Sequence, residues 1–308
     1  MDITEGVDSG ASGSEPQRIS VDTSAGEMSV LCYGGTGADT VMFHSPGFCA
    51  DSLSLVAAAM TDTCNVFSVE LPGHGQSPTG GVSAREFWPV IPEIVAGLGV
   101  ERPVLVGFDL SGFFVTAAVA ENPGLASAVV SVGGWCLRTR EEAAEFLDFL
   151  TAEDVMEGLA DRMQLGASAP DEAGMEAILL RLAHNAIHDF LIAYEASRFA
   201  DKIACTVQVG PDGMRTRLPT VETMRQVHDL SIDDEVYPDS ALLDRIDVPY
   251  KFVLTSDGID HELIGRAMEF AEHLPNLFVT LVEAGNNPQM SHPEPIGNAI
   301  KRVVTRLK

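Results

Sequence analysis

The stretch VGFDLSG, residues 106–112, decides the fold of this chain. It follows a short apolar run and precedes a long stretch of small residues, which predicts a sharp turn from a buried strand into a helix. Gly107 lies two residues before Asp109, and Ser111 and Gly112 lie two and three residues after it. Small residues at these positions allow the close backbone approach that such a turn needs, so Asp109 is its predicted tip. A tip at Ser111 would put large side chains where small ones are needed, and we reject it.

Apolar strands and helices alternate on both sides of this turn. The segments RISVDT and EMSVLCYGG predict a hairpin of strands near the start of the chain. Near-continuous apolar strands separated by helices are typical of a parallel sheet covered on both faces. The sequence therefore predicts an α/β protein with a doubly wound, mostly parallel sheet. The predicted buried strands lie in DTVMFH, CNVFSV, PVLVGF, ASAVVSV, PYKFVL and LFVTLV.

The alternation is interrupted once, from about residue 137 to 245. This segment is rich in helical patterns and contains no clear buried strand, and strand–helix alternation resumes after it. We therefore predict a core formed by residues 17–136 and 246–308, with a helical cap inserted at 137–245. Residues 1–16 are acidic and rich in Gly and Ser, which predicts a flexible tail.

Four motifs occur in the order and spacing of the α/β-hydrolase superfamily, which the chain resembles from about residue 18 to its C-terminus. The resemblance implies an α/β-hydrolase fold with the insertion as its cap (lid), and it implies nothing about the substrate. In that frame GFDLSG resembles the nucleophile elbow, and HSPG resembles the oxyanion loop. The motifs are HSPG at 44–47, ELPGHGQS at 70–77, GFDLSG at 107–112 and AGNNPQMSHPEP at 284–295.

Aspartate at the elbow resembles haloalkane dehalogenases and epoxide hydrolases of this superfamily. In those enzymes the carboxylate attacks an alkyl carbon and forms an ester, which water then hydrolyses. The resemblance thus implies that Asp109 is a catalytic residue. The alternative is that Asp109 only caps the following helix, where the helix dipole favours a negative charge.

The position that the resemblance assigns to the catalytic histidine holds a different residue. Gly285 after the last strand is followed by Asn286. An amide side chain cannot take a proton from water near neutral pH. His292 lies six positions further on, beyond the site in the family frame. Asn286 is therefore a candidate polar partner of Asp109, and an ordinary catalytic triad is not expected.

The oxyanion loop also departs from the pattern of the superfamily. The His44–Ser45 pair is followed by Pro46, which has no backbone N–H to donate. The N–H of Leu110 remains as the other donor, and loss of one donor costs on the order of a hundredfold in rate. A shift of the loop that presents Gly47 would restore it. We expect His44, Ser45, Pro46 and Leu110 to surround the substrate.

The sequence does not decide which carboxylate belongs to the catalytic set or which aromatic side chains contact the substrate. Asp257 and Asp260 both lie near the position that the resemblance implies for the carboxylate, and either also suits a loop or a helix cap. Dehalogenases place a Trp after the nucleophile, whereas the chain has Leu there; Trp135 lies at the edge of the expected pocket. Epoxide hydrolases use two cap tyrosines, and the insertion contains Tyr194 and Tyr237. Trp135 and Tyr194 are candidate substrate contacts.

Three functions are compatible with these changes at the nucleophile, base and oxyanion positions. The first is an enzyme with Asp109 as general base or nucleophile in an apolar pocket, assisted by Asn286 and His44, and a non-hydrolytic elimination, cyclisation or isomerisation fits it. The second is a ligand-binding protein without turnover. The third is an Asp-nucleophile hydrolase of epoxides or C–halogen bonds that recruits His292 or His261 as its base.

Composition limits the partners. The net charge of −26 disfavours nucleic acid and anionic membrane surfaces, so we expect a small-molecule substrate or ligand. The five scattered cysteines form no CxxC pair and the N-terminus lacks a signal peptide, which indicates reduced thiols in a cytoplasmic protein. No cofactor motif and no metal site are evident, and the sequence leaves a homodimer open.

Overall fold

A computed structural model of the protein describes residues 15–189 and 203–306. Most of the predicted tail, residues 1–14, lies outside this part, and the first strand begins at Gln17. Within the described part, no helix is both long enough and apolar enough to cross a membrane.

Eight strands form one sheet. They are β1 (Gln17–Thr23), β2 (Gly26–Gly35), β3 (Ala38–Phe43), β4 (Cys64–Val69), β5 (Val104–Phe108), β6 (Ala128–Val132), β10 (Tyr250–Thr255) and β11 (Leu277–Val282). Their order in the sheet is β1-β2-β4-β3-β5-β6-β10-β11. The strands β1 and β2 form the predicted antiparallel hairpin, β2 pairs antiparallel with β4, and the remaining pairs are parallel. The predicted α/β fold with a mostly parallel sheet is thus confirmed.

Helices cover both faces of this sheet. The helices of the described residues are α1 (Ser54–Ala58), α2 (Ala84–Phe87), α3 (Ile91–Gly97), α4 (Leu110–Glu121), α5 (Arg140–Thr151), α6 (Glu153–Met163), α7 (Glu172–Asp189), α8 (Val221–Val227), α9 (Ile264–His273), α10 (Pro288–Ser291) and α11 (Pro293–Arg306); α5 to α8 belong to the segment between β6 and β10 and not to these two layers. Successive side chains of the buried strands point to opposite sides, so each face carries its own core. In β3, Val41 and Phe43 pack into the core below α3 and α4, whereas Met42 packs into a second core below α1 and α11. The sheet is therefore doubly wound.

The segment between β6 and β10 contains α5 to α8, as its helical patterns predict. It also contains a small antiparallel sheet, β7-β9-β8, formed by Ser168–Ala169, Arg215–Arg217 and Val207–Val209. These strands are two or three residues long, too short to leave a periodic pattern in the sequence. Apolar side chains of the segment pack with Phe48 of the loop after β3 and with Met290 of α10, so this segment shares a core with the main domain.

Two of the five cysteines are joined, contrary to the expectation of reduced thiols. Cys49, in the loop after β3, forms a disulfide with Cys205, which precedes β8. The two residues are 156 positions apart in sequence, and only the fold brings their Cα atoms to 6.6 Å. Sequence spacing carries no trace of such a pair. Cys32, Cys64 and Cys136 are not part of a disulfide.

Candidate active site

The turn at residues 106–112 is a strained elbow with Asp109 at its tip. Asp109 links β5 to α4 at φ 55° and ψ −128°, a backbone conformation that a residue other than glycine rarely adopts. A Cβ atom on Gly107 would lie 2.0 Å from the carbonyl oxygen of Ser111, so no larger residue fits there. Ser111 itself is buried, and its hydroxyl donates to the carbonyl of His44 at 2.7 Å. The side chain presented by the elbow is therefore that of Asp109.

The carboxyl group of Asp109 faces a cavity of about 290 Å³ between the elbow and the segment between β6 and β10. Apolar side chains make up most of its wall. Those contributed by α5 and α6 are Phe146, Phe149, Leu150, Val155, Leu159 and Met163.

Hydrogen bonds hold the Asp109 carboxyl in place at the cavity floor. The indole Nε1 of Trp135 donates to Oδ1 at 2.5 Å, and the backbone N–H of Leu110 also bonds to the carboxyl. Asp109 keeps accessible surface where it lines the cavity, although protein atoms surround its carboxyl group. This burial raises the pKa of Asp109 to about 6, more than the Trp135 bond lowers it, and the nearby Asp260 charge adds to the rise.

Asn286, the residue found where the sequence resemblance leads one to expect a histidine, lines the same cavity. Its carboxamide oxygen accepts a hydrogen bond from the backbone N–H of Ile259 at 2.8 Å. That bond leaves the amide N–H groups of Asn286 as the part that can meet a ligand. Asp109 and Asn286 are thus brought together, although their catalytic roles stay predictions.

The structure separates the two candidate acids. Asp260 lines the cavity, and its carboxylate accepts from the Gly134 N–H at 2.7 Å and from Arg138 Nη2 at 3.0 Å. Asp257 is exposed, does not line the cavity and bonds to the hydroxyl of Ser256. Asp260 is therefore the acid of this pair beside Asp109, while Asp257 lies away from it.

The predicted oxyanion loop contributes only part of the wall. Ser45 and Pro46 line the cavity, but His44 lies behind it, fully buried. The Nε2 atom of His44 accepts from the Leu71 N–H at 3.1 Å, so its Nδ1 donates to the carbonyl of Ser45. Both ring nitrogens of His44 are thereby hydrogen-bonded to the backbone, and the side chain does not reach the cavity. The Leu110 side chain is buried too, and only its N–H is directed to the site.

Three residues that were considered for the site lie elsewhere. His261 and His292 do not line the cavity, and their Nδ1 atoms are engaged by Gly258 and Ser291 respectively. Tyr237 is buried under Arg140, away from the cavity. Tyr194 lies outside the described residues.

His228, which no sequence pattern predicted for the site, immediately follows α8 and lines the cavity. Its Nδ1 atom is 2.7 Å from the carbonyl oxygen of Met224, and its ring centroid is 6.1 Å from that of Trp135. Burial lowers the pKa of His228, which keeps the imidazole neutral. No motif surrounds this residue in the sequence, because it comes from the inserted segment and reaches the site only by tertiary packing. Arg162, at the end of α6, was missed for the same reason.

Comparisons with known proteins agree with this architecture. The sequence profile of the alpha/beta hydrolase family matches residues 35–299, so the protein belongs to the alpha/beta hydrolase family. By sequence, no curated protein matches the chain.

Solved structures of the same fold include hydrolases and esterases. One is an E-2-(acetamidomethylene)succinate hydrolase, with a TM-score of 0.72 and 18 % identity over 94 % of this chain and 99 % of that chain. Another is an esterase of M. tuberculosis, with a TM-score of 0.69 and 17 % identity over 96 % of this chain and 94 % of that one. A third is the thioesterase domain from the curacin biosynthetic pathway, with a TM-score of 0.67 and 14 % identity over 93 % of this chain and 99 % of that one. At these identities the likeness shows the fold alone.

Proposed function

We propose that this protein is an enzyme in which the Asp109 carboxylate acts as a general base on a small, largely apolar molecule held in the cavity. The reaction is a non-hydrolytic proton transfer: an elimination, a cyclisation or an isomerisation. The observation that carries the proposal is an ionisable carboxyl at the tip of the elbow, facing a largely apolar cavity that Asn286 also lines.

The protonation behaviour of Asp109 suits this role. With a pKa of about 6, the carboxyl is mostly ionised at neutral pH, and it is a stronger base than an ordinary aspartate. The same group can return the proton to another atom of the substrate, so an isomerisation or cyclisation is balanced without a second acid. The Trp135 N–H orients the carboxylate by holding Oδ1, and it leaves the other oxygen to take the proton.

Ester hydrolysis by the usual triad is not supported by the residues present. A triad needs a histidine to take a proton from water, and the amide of Asn286 cannot do so. Asn286 suits a different role, because its N–H groups can donate to a substrate carbonyl that becomes an enolate when the neighbouring C–H proton leaves. In an apolar cavity such a hydrogen bond stabilises developing charge more than it would in water.

Deuterium exchange tests the general base directly. We would incubate the protein in D2O with carbonyl compounds that carry acidic C–H bonds, such as 1-indanone, 2-tetralone and cyclohex-2-enone, and follow deuterium incorporation by NMR. We expect exchange of at least one compound about a hundredfold faster than in buffer. Asp109→Asn should abolish this rate, whereas Asp257→Asn, the matched change outside the cavity, should leave it intact. Exchange at the buffer rate throughout, or full activity of Asp109→Asn, would show that Asp109 is not a general base.

A second candidate is favoured by one observation, the neutral His228 in the cavity wall. An aspartate nucleophile with His228 as the base that activates water would hydrolyse epoxides or haloalkanes. Incubation with such compounds followed by intact mass measurement distinguishes the two. A covalent adduct on Asp109 that persists in His228→Gln and is cleared by the wild type would favour hydrolysis over proton transfer.

A further inference from the structure

We propose that His228 is a substrate-binding residue that accepts a hydrogen bond from a hydroxyl group, so that the substrate is an apolar molecule bearing a hydroxyl. This inference deepens the proposed function, because it rests on the substrate lying in the same cavity. The hydrogen bonds of the His228 ring and the neighbours of that ring support it.

The hydrogen bond at Nδ1 determines the tautomer of His228. The carbonyl oxygen of Met224 can only accept, so the Nδ1 atom, 2.7 Å away, carries the proton. In the neutral ring the Nε2 atom then carries a lone pair and is a hydrogen-bond acceptor. Burial lowers the pKa of His228, which favours this neutral form.

The Nε2 atom of His228 has no hydrogen-bond partner within residues 15–189 and 203–306. His228 is only 9 % exposed, and it lines the cavity. An acceptor in a largely apolar wall is costly unless a donor reaches it, so the cavity is complementary to a ligand with a donor at this place.

The position of His228 relative to the Asp109 carboxyl would orient a substrate whose hydroxyl donates to His228. Trp135 contacts both groups: its Nε1 binds Asp109, and its ring lies beside the His228 ring at 6.1 Å between centroids. Asp109 and His228 therefore flank one indole. A hydroxyl held by His228 would place the attached apolar body against Trp135 and a neighbouring atom within reach of the carboxylate, which is the positioning that a general base needs.

Binding of a matched pair of probes tests the inference without turnover. The probes are 2-naphthol and 2-methoxynaphthalene, which differ by methylation of the hydroxyl, measured by isothermal titration calorimetry at pH 7. We expect the wild type to bind 2-naphthol about tenfold more tightly, the value of one good hydrogen bond that is otherwise unpaired. His228→Phe should reduce the preference to below about twofold, and His228→Gln, whose side chain can still present an acceptor, should retain part of it.

Controls separate this inference from the proposed function. His292→Phe, the same change outside the cavity, should keep the full preference, and circular dichroism should show that all variants are folded. Asp109→Asn should also keep it, so the preference is measurable even if deuterium exchange never occurs. A preference that survives in His228→Phe and disappears in Asp109→Asn would assign the hydroxyl to the carboxylate. That result, equal binding of both probes by the wild type, or no saturable binding of either, would overturn the inference.

Discussion

The protonation of Asp109 predicts a measurable effect on stability that requires no substrate. The pKa of Asp109 is raised from 3.8 to about 6 by burial in the folded protein. The folded state therefore binds this proton more tightly than the unfolded state, and ionisation of Asp109 opposes folding. The free energy of unfolding falls as the pH rises from about 4 to 6, and the full penalty is present above the folded pKa. Asp109→Asn removes this titration and keeps an oxygen for the Trp135 N–H.

The magnitude follows from the two pKa values. Between pH 5 and pH 8, the Asp109 penalty grows by about 1.4 kcal/mol when the linkage relation is applied in full. The carboxyl has accessible surface in the cavity, and solvent screening there reduces the expected change to roughly 0.5–1 kcal/mol. Asp109→Asn should therefore gain stability relative to the wild type by this amount when the pH is raised from 5 to 8.

Urea denaturation of both proteins at the two pH values, without reductant, measures this difference. The difference between the two proteins at each pH cancels the contributions that they share, so its change with pH reports the ionisation of Asp109. Asp257→Asn is the matched control, since Asp257 is exposed and outside the cavity, and it should differ from the wild type by the same small amount at both pH values. A difference for Asp109→Asn that does not change with pH, or that shrinks as the pH rises, would refute an aspartate destabilised by burial.

Three further predictions concern the same site and its surroundings. Deuterium exchange catalysed by the wild type should fall about tenfold for each pH unit below about 6, because only ionised Asp109 accepts a proton; a rate flat down to pH 5 would contradict this. Trp135→Phe removes a hydrogen-bond donor to the Asp109 carboxylate, so the acid limb of the pH–rate profile should move to higher pH by about one unit. An unmoved acid limb would show that the Trp135 hydrogen bond does not stabilise the carboxylate. Replacing Cys49 and Cys205 together by Ser should lower the free energy of unfolding by up to about 5 kcal/mol, because the disulfide restricts the unfolded chain. Equal urea midpoints for the oxidised wild type and this variant would contradict a stabilising disulfide. The control is Cys136→Ser, which changes a cysteine outside the disulfide.

Local patterns in the sequence were sufficient for the parts of the site that belong to the core. The small residues around Asp109 impose the register of the elbow, because a Cβ atom at Gly107 would collide with the backbone of the next turn. Asn286 follows the last strand of the sheet, and parallel strands end at one edge, so its meeting with Asp109 follows from the order of elements. These predictions depend only on neighbours along the chain and on the periodicity of strands and helices.

Other choices depended on side-chain direction, which local pattern does not specify. Asp257 and Asp260 lie three residues apart in one loop, and only the position of Arg138 and the Gly134 N–H shows that Asp260 faces the cavity. His44 belongs to a recognisable motif, yet its ring is held behind the wall by the Leu71 N–H.

The sequence by itself determined the doubly wound sheet and the elbow with Asp109 at its tip, because both follow from the short-range spacing of apolar and small residues. The tertiary structure alone decided that His228 joins the cavity and that Cys49 pairs with Cys205. Both depend on how the inserted segment packs over the sheet. The place of an inserted segment is set by the packing of its side chains against the rest of the protein, and the order of strands and helices does not encode it.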